Sequence, residues 1–201
     1  MPNWVYNTLW VQGDEVTVTA LREKMNSPFE TEHYSWDGTV DKKVYSNPVF
    51  AFWNIVKPDN LDRYLVTIGT GTGNQDDPDN WYNWNTRNWG TKWDVASSPN
   101  TTCEVTDDGA LLYKFETAWC PPMEALLLLS SQFPTLRFDY RYEEEQGWGA
   151  TGEFVGGVYR ETSMWDIPQS HADYEDRDDD CLCVYGSGWK FDDCPEIEVS
   201  E

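Results

Sequence analysis

Leu111-Leu112-Tyr113-Lys114-Phe115-Glu116-Thr117-Ala118-Trp119-Cys120-Pro121-Pro122-Met123 carries the chain from a strand into a helix, and the fold class turns on that passage. Leu111 to Thr117 reads as the second half of a hairpin. The first half is Thr101 to Val105, and the turn lies at Asp107-Asp108-Gly109. Trp119-Cys120-Pro121-Pro122 breaks the strand. Prolines suit a helix start, because the N–H they lack would have no helical partner there. Met123 to Gln132 is then a helix that buries Leu126, Leu127 and Leu129, and Pro134 ends it. Leu136 to Tyr142 and Thr151 to Tyr159 read as two further strands around Glu143 to Gly149.

Upstream, Trp4 to Val11 reads as a strand. Trp4, Tyr6, Thr8 and Trp10 alternate with Val5, Asn7, Leu9 and Val11, and both sets are largely apolar, which predicts a strand covered on two faces. Asp14 is suited to cap a helix from about Glu15 to Asn26, although the β-branched run Val16-Thr17-Val18-Thr19 works against it. Ser27 to Val44 reads as irregular and polar, with Pro28 and Asp37-Gly38 as breakers. Val49 to Val56 is apolar and fits a helix or a strand. Pro58 to Tyr64 suits a short helical turn, and Gly69-Thr70-Gly71-Thr72-Gly73 a flexible loop. Asp76 to Asp94 reads as helical in its first half, with Asp79 near the start. This segment holds four tryptophans, Trp81, Trp84, Trp89 and Trp93, together with Tyr82. Aromatic density of that kind predicts structural packing first and a stacking platform second.

The order is strand, helix, long insertion, strand, strand, helix, strand, strand. Without the insertion it is a β-α-β-β-α-β plan with one added strand. The expected fold is therefore α+β and ferredoxin-like: an antiparallel sheet with helices on one face, over residues 1–160. A Trp-rich insertion occupies about 27–100, and an acidic C-terminal extension covers 161–201.

The 201-residue chain has 36 acidic against 14 basic side chains, a formal charge of -22. Such a field repels nucleic-acid phosphates and anionic membranes, so neither is an expected partner. No run of about 20 apolar residues suggests a membrane span. Five cysteines and no signal pattern at the N-terminus point to reduced thiols and a cytoplasmic location in the host cell.

Four groups of residues carry a resemblance. They are Pro2-Asn3-Trp4-Val5 with Asn7; Trp89-Gly90-Thr91-Lys92-Trp93-Asp94; Phe115-Glu116-Thr117-Ala118-Trp119 leading into Pro121-Pro122; and Tyr140 to Glu144 followed by Gly152-Glu153-Phe154. Together they resemble the YubB ferredoxin-like family of phage and plasmid proteins over roughly residues 1–160. The resemblance implies a mobile-element origin and a ferredoxin-like core. It brings no catalytic residues with it.

Candidate chemistry is sparse. The Gly69–Gly73 loop lacks the Lys-Ser or Lys-Thr that follows a phosphate-binding loop. Cys120 has no base placed beside it by any motif. His171, Cys181, Cys183 and Cys194 could form a zinc site of three thiolates and one imidazole, but the usual paired Cys-x-x-Cys knuckles are missing. The alternative is three free thiols in a small C-terminal hairpin. No other cofactor is expected. The densest acidic run is Asp173, Glu175, Asp176, Asp178, Asp179 and Asp180, with Trp165 and Tyr174 as aromatic anchors.

The leading expectation is a non-enzymatic phage or plasmid protein. It would bind and modulate a basic host or defence protein through that acidic surface, standing in for nucleic acid as a mimic. The alternative is a binder of a small molecule such as a nucleotide signal. Its pocket would be made by the open sheet face, the aromatics and the Gly-rich loop.

Overall fold

In the computed structural model, which describes residues 2–34, 39–67, 76–170 and 172, the elements follow one another in this order. They are β1 (Trp4–Gln12), α1 (Glu15–Met25), β2 (Phe29–Tyr34), β3 (Val40–Tyr45), a single 3-10 turn (Phe52–Asn54), α2 (Leu61–Thr67), α3 (Trp81–Trp89), β4 (Thr102–Val105), β5 (Leu111–Ala118), α4 (Met123–Gln132), β6 (Arg137–Glu144), β7 (Gly149–Val155) and β8 (Val158–Trp165). The main sheet has the order β4-β5-β1-β6-β7-β8, and every neighbouring pair is antiparallel. β1 sits between β5 and β6, with Leu9 opposite Tyr113 on one side and Tyr140 on the other. Taken alone, β1-α1-β4-β5-α4-β6 is the expected ferredoxin-like plan.

Alternation decides which face is buried. Val5, Asn7, Leu9 and Val11 of β1 point inward with Leu111, Tyr113 and Phe115 of β5 and Phe138 and Tyr140 of β6. Val18, Leu21 and Met25 of α1 and Ala125, Leu126 and Leu129 of α4 cover them. α1 begins where Asp14 accepts the Thr17 N–H at 2.9 Å, a capping bond that offsets the weak propensity of its β-branched run. Asn7 is the one amide among these inward β1 residues. Its side chain donates to the carbonyls of Val5 and Phe115 and to Thr117 Oγ1, and it accepts the Tyr140 hydroxyl at 2.5 Å.

The expectation of a first strand covered on both faces fails among the described residues. Trp4, Thr8 and Trp10 are half-buried, and Tyr6 is 51% exposed. The apolar reading misled because aromatic rings flanked by Thr8, Lys114 and Arg141 tolerate water at their polar edges.

Three further expectations change. Ser27 to Val44 is not irregular: β2 and β3 form a hairpin, with Glu32 opposite Lys42 and a salt bridge of 3.3 Å between them. Its β3 side chains are mostly exposed, so no buried period-2 pattern marks the strand. Val49 to Val56 is neither helix nor strand over its length. It sends Phe50 and Phe52 into the core, where Phe50 stacks on Phe115 at 5.1 Å. The helix in the Trp-rich segment occupies its middle, not its first half. Asn80 caps it by accepting the Asn83 N–H, and Gly90 ends it at φ +82, a conformation that favours glycine.

Thr151 to Tyr159, read as one strand, is a hairpin. Gly156 and Gly157 take positive φ at its turn, and β8 continues past residue 160 to Trp165. No described helix is long and apolar enough to cross a membrane.

Candidate ligand pocket

The insertion does more than pad the core. The β2–β3 hairpin, the 3-10 turn, α2, α3 and the segment after α3 enclose a cavity of about 360 Å³. That volume lies within the range of small-molecule sites, about 300–1,000 Å³. One wall is a run of near-parallel rings: Tyr45 on Phe29 at 4.4 Å and 14°, and Phe29 on Trp53 at 5.9 Å and 17°. Tyr64, Trp81, Trp89 and Trp93 complete an aromatic lining, with Thr31, Asn85 and Ser97 as polar contributors. Seven aromatic side chains therefore face one space.

Hydrogen bonds inside the insertion hold these rings in position. Asp94 is the hub. Its Oδ1 accepts the N–H groups of Phe52 (3.1 Å) and Ala96 (3.0 Å), and its Oδ2 accepts that of Trp53 (2.8 Å). The 3-10 turn is thereby fixed so that Phe52 and Trp53 both enter the core and one side of Trp53 lines the cavity. Asn85 accepts the Tyr64 hydroxyl at 2.8 Å and donates to the Lys92 carbonyl at 2.8 Å, joining α2, α3 and the following segment. The Trp89 indole donates to the Val56 carbonyl, and Thr91 donates to the Ala118 carbonyl, which anchors the pocket floor to β5. Edge-on contacts of Trp84 with Tyr64 and Trp89 back the lining from behind.

The electrostatics are mixed. Burial pushes the Asp94 carboxyl up from its ordinary 3.8 to about 6, against the pull of its N–H donors. Burial also raises the Tyr64 hydroxyl well above its usual range, so it stays neutral and a donor. One lysine lines the cavity and a second stands over two of its rings. Lys43 lines it, with its ammonium 5.0 Å from the Tyr45 ring. Lys92 lies 4.5 Å from the Trp93 ring centre and 5.9 Å from that of Trp81. Among the described residues, no carboxylate forms a salt bridge with either. Among those same residues, the Arg63, Arg87, Arg137 and Arg141 guanidinium groups and Lys42 are so paired, whereas Arg22, Lys24, Lys57, Lys114 and Arg160 are not.

The residues singled out in the sequence fall elsewhere. Trp165 ends β8 on the open sheet face, with the Arg141 guanidinium 4.9 Å from its ring. Asp173, Tyr174, Glu175, Asp176, Asp178, Asp179 and Asp180 lie outside the described residues, as do His171, Cys181, Cys183, Cys194 and the Gly69–Gly73 loop. No group of three or more His, Cys, Asp or Glu side chains suited to a metal occurs among the described residues. Cys120 is exposed at the start of α4, with its thiol raised by burial and by Glu124. The open sheet face holds a hollow of about 270 Å³ beside Trp10, Arg137 and Arg141.

The Trp-rich segment divides its labour: Trp84 packs, buried Trp89 both packs and lines the cavity, and the less buried Trp81 and Trp93 present faces to it. Sequence reading passed over Phe29, Thr31, Lys43, Tyr45 and Trp53. The paired alternations Phe29/Thr31 and Lys43/Tyr45 were the available signal.

Residues 91–182 match the model of a family described as a ferredoxin-like domain in Api92-like protein. The stretch begins inside the pocket segment and takes in β4, β5, α4, β6, β7 and β8. Among solved structures, the chain is similar to a protein api92 from Yersinia pseudotuberculosis. The TM-score is 0.51 and the identity 12%, over 84% of this chain and 99% of that one. At that identity the likeness is one of fold. No curated protein matches the chain.

Proposed function

We propose that this chain is a non-enzymatic binding protein that captures a small ligand carrying a flat aromatic ring and a negative charge, of the nucleotide class. One observation carries the reading. Seven aromatic side chains surround a cavity beside two lysines that no described carboxylate neutralises, in a protein of net charge -22. Lys43 on the lining and Lys92 over the Trp93 ring place positive charge at the aromatic faces, which suits an anionic group on the ligand. The rings supply stacking, worth about 1–3 kcal/mol per base in nucleic-acid sites. Ser97 and the remaining acceptor capacity of Asp94 can meet ring N–H groups.

Thermal shift and calorimetry with the four ribonucleoside 5′-monophosphates test this. A ligand that binds only the folded state at 100 times its Kd adds about 2.7 kcal/mol of stability. Lys43→Ala should weaken that binding. Failure of every nucleotide to raise the melting temperature at millimolar concentration refutes the reading. So does tighter binding of an organic ammonium ion.

A second reading rests on the charge itself. The excess of 36 acidic over 14 basic residues supports docking to a basic host or defence protein in place of nucleic acid. The resemblance to the YubB family supports a phage or plasmid origin and a host cytoplasmic setting. Affinity capture from host lysate at low and high salt tests it. Recovery of no salt-sensitive specific partner counts against it.

A further inference from the structure

The aromatic cavity has a neighbour across Trp93. On the other side of the Trp93–Ser97 segment lies a second chamber of about 350 Å³, and Trp93, Asp94 and Ser97 line both. The far wall of this chamber is Trp4, whose ring centre lies 6.2 Å from that of Trp93 at 39°. Its remaining polar surface comes from Ser98, Asn100 and Glu116, with the Asn100 amide donating to Glu116 at 2.9 Å. Each chamber alone is near the lower end of the size range for ligand sites, and joined they reach its middle.

Building on the reading of the first cavity as a nucleotide site, we infer that the ligand is a dinucleotide. One base would occupy the Phe29–Trp53 chamber and the other the Trp4–Trp93 chamber, with the linking phosphate beside Lys92. The charge pattern argues for this division. Asp94 lines both chambers, but the second adds Glu116 and has no described lysine in its lining, so a neutral base with N–H donors suits it better than an anionic group. The Lys92 ammonium stands instead over the Trp93 ring that both spaces share, 4.5 Å from its centre. Trp93 is 40% exposed and lines both spaces, so the exposed part of its ring can meet a base.

Calorimetry with the dinucleoside monophosphates ApA and GpG, compared with AMP and GMP, tests the inference on the full chain. The dinucleotide is expected to bind at least about tenfold more tightly than its mononucleotide, the gain of one further stacked base. Trp4→Ala should lower dinucleotide affinity at least about fivefold and leave mononucleotide affinity unchanged, which also verifies that the variant is folded. Ser98→Trp, which fills the second chamber from its loop, should do the same. Mononucleotide binding with no dinucleotide advantage, or equal losses for both ligands in these variants, overturns the two-chamber inference and leaves the nucleotide site standing. Binding of neither class overturns both.

Discussion

Asp94→Asn separates the electrostatic cost of the pocket from its hydrogen bonding. The wild-type carboxyl has a folded-state pKa of about 6 against an ordinary 3.8, with burial as the main cause. Because the folded value is the higher one, the associated stability is fully present below about pH 4 and is lost as the pH rises through about 6. At about 1.36 kcal/mol per pH unit, the full loss is about 3 kcal/mol. Asparagine does not titrate, so the variant escapes it. It has one carbonyl oxygen where the carboxylate uses two, and so cannot accept from Phe52, Ala96 and Trp53 together. One lost bond costs about 1–3 kcal/mol.

Urea unfolding of both proteins from pH 4.5 to 8 reads the difference. The repulsion among the chain's many acids is common to both and cancels. The variant should be less stable at pH 4.5, and the gap should close or invert by pH 8. A difference that stays flat, or widens as the pH rises, refutes the account of Asp94 as a carboxyl kept charged against its surroundings.

Gly90→Ala should cost about 1–3 kcal/mol, because φ is +82 and the new methyl group meets the Glu124 carboxylate and lies 3.0 Å from the Met123 nitrogen. Gly109→Ala has the same φ and open space around it, so in urea titrations it should lose only the backbone share, about 1 kcal/mol. Asn7→Leu removes three donated bonds and strands the buried Tyr140 hydroxyl, for an expected loss of about 2–4 kcal/mol. Adding Tyr140→Phe should recover part of it in a double-mutant cycle, and zero coupling would count against the network. Phe50→Ala should cost about 3–5 kcal/mol by denaturant unfolding, as a buried ring stacked on Phe115 is replaced by a cavity.

The scaffold was legible where local chemistry and tertiary packing agree. Pro121-Pro122 before Met123 and the Asp107-Asp108-Gly109 turn state their structure in consecutive residues, and the α4 and β4–β5 boundaries follow to within a residue. β2 and β3 were missed because a mostly exposed two-stranded ribbon needs no apolar period. The Gly156-Gly157 pair was a turn signal overlooked inside an apolar run, so β7 and β8 merged.

The pocket escaped for a different reason. Its lining extends from Phe29 to Ser97 in two short alternations and scattered single residues, and the meaning of Asp94 depends on two N–H groups more than forty residues earlier. A carboxylate among many carboxylates carries no mark in the sequence that it alone caps a buried turn.

Phe52 and Trp53 are consecutive and both buried, yet only Trp53 also faces the cavity. Descent is therefore constrained unevenly along this insertion. Lineages that discard it would strip the cover from Tyr113 and Phe115, whereas lineages that keep it can rewrite exposed Lys43 or half-buried Trp81 at small expense to the sheet. Its retention and the drift of its specificity are separate hereditary events, set by whether a substitution falls on a buried ring or on an exposed edge of the cavity.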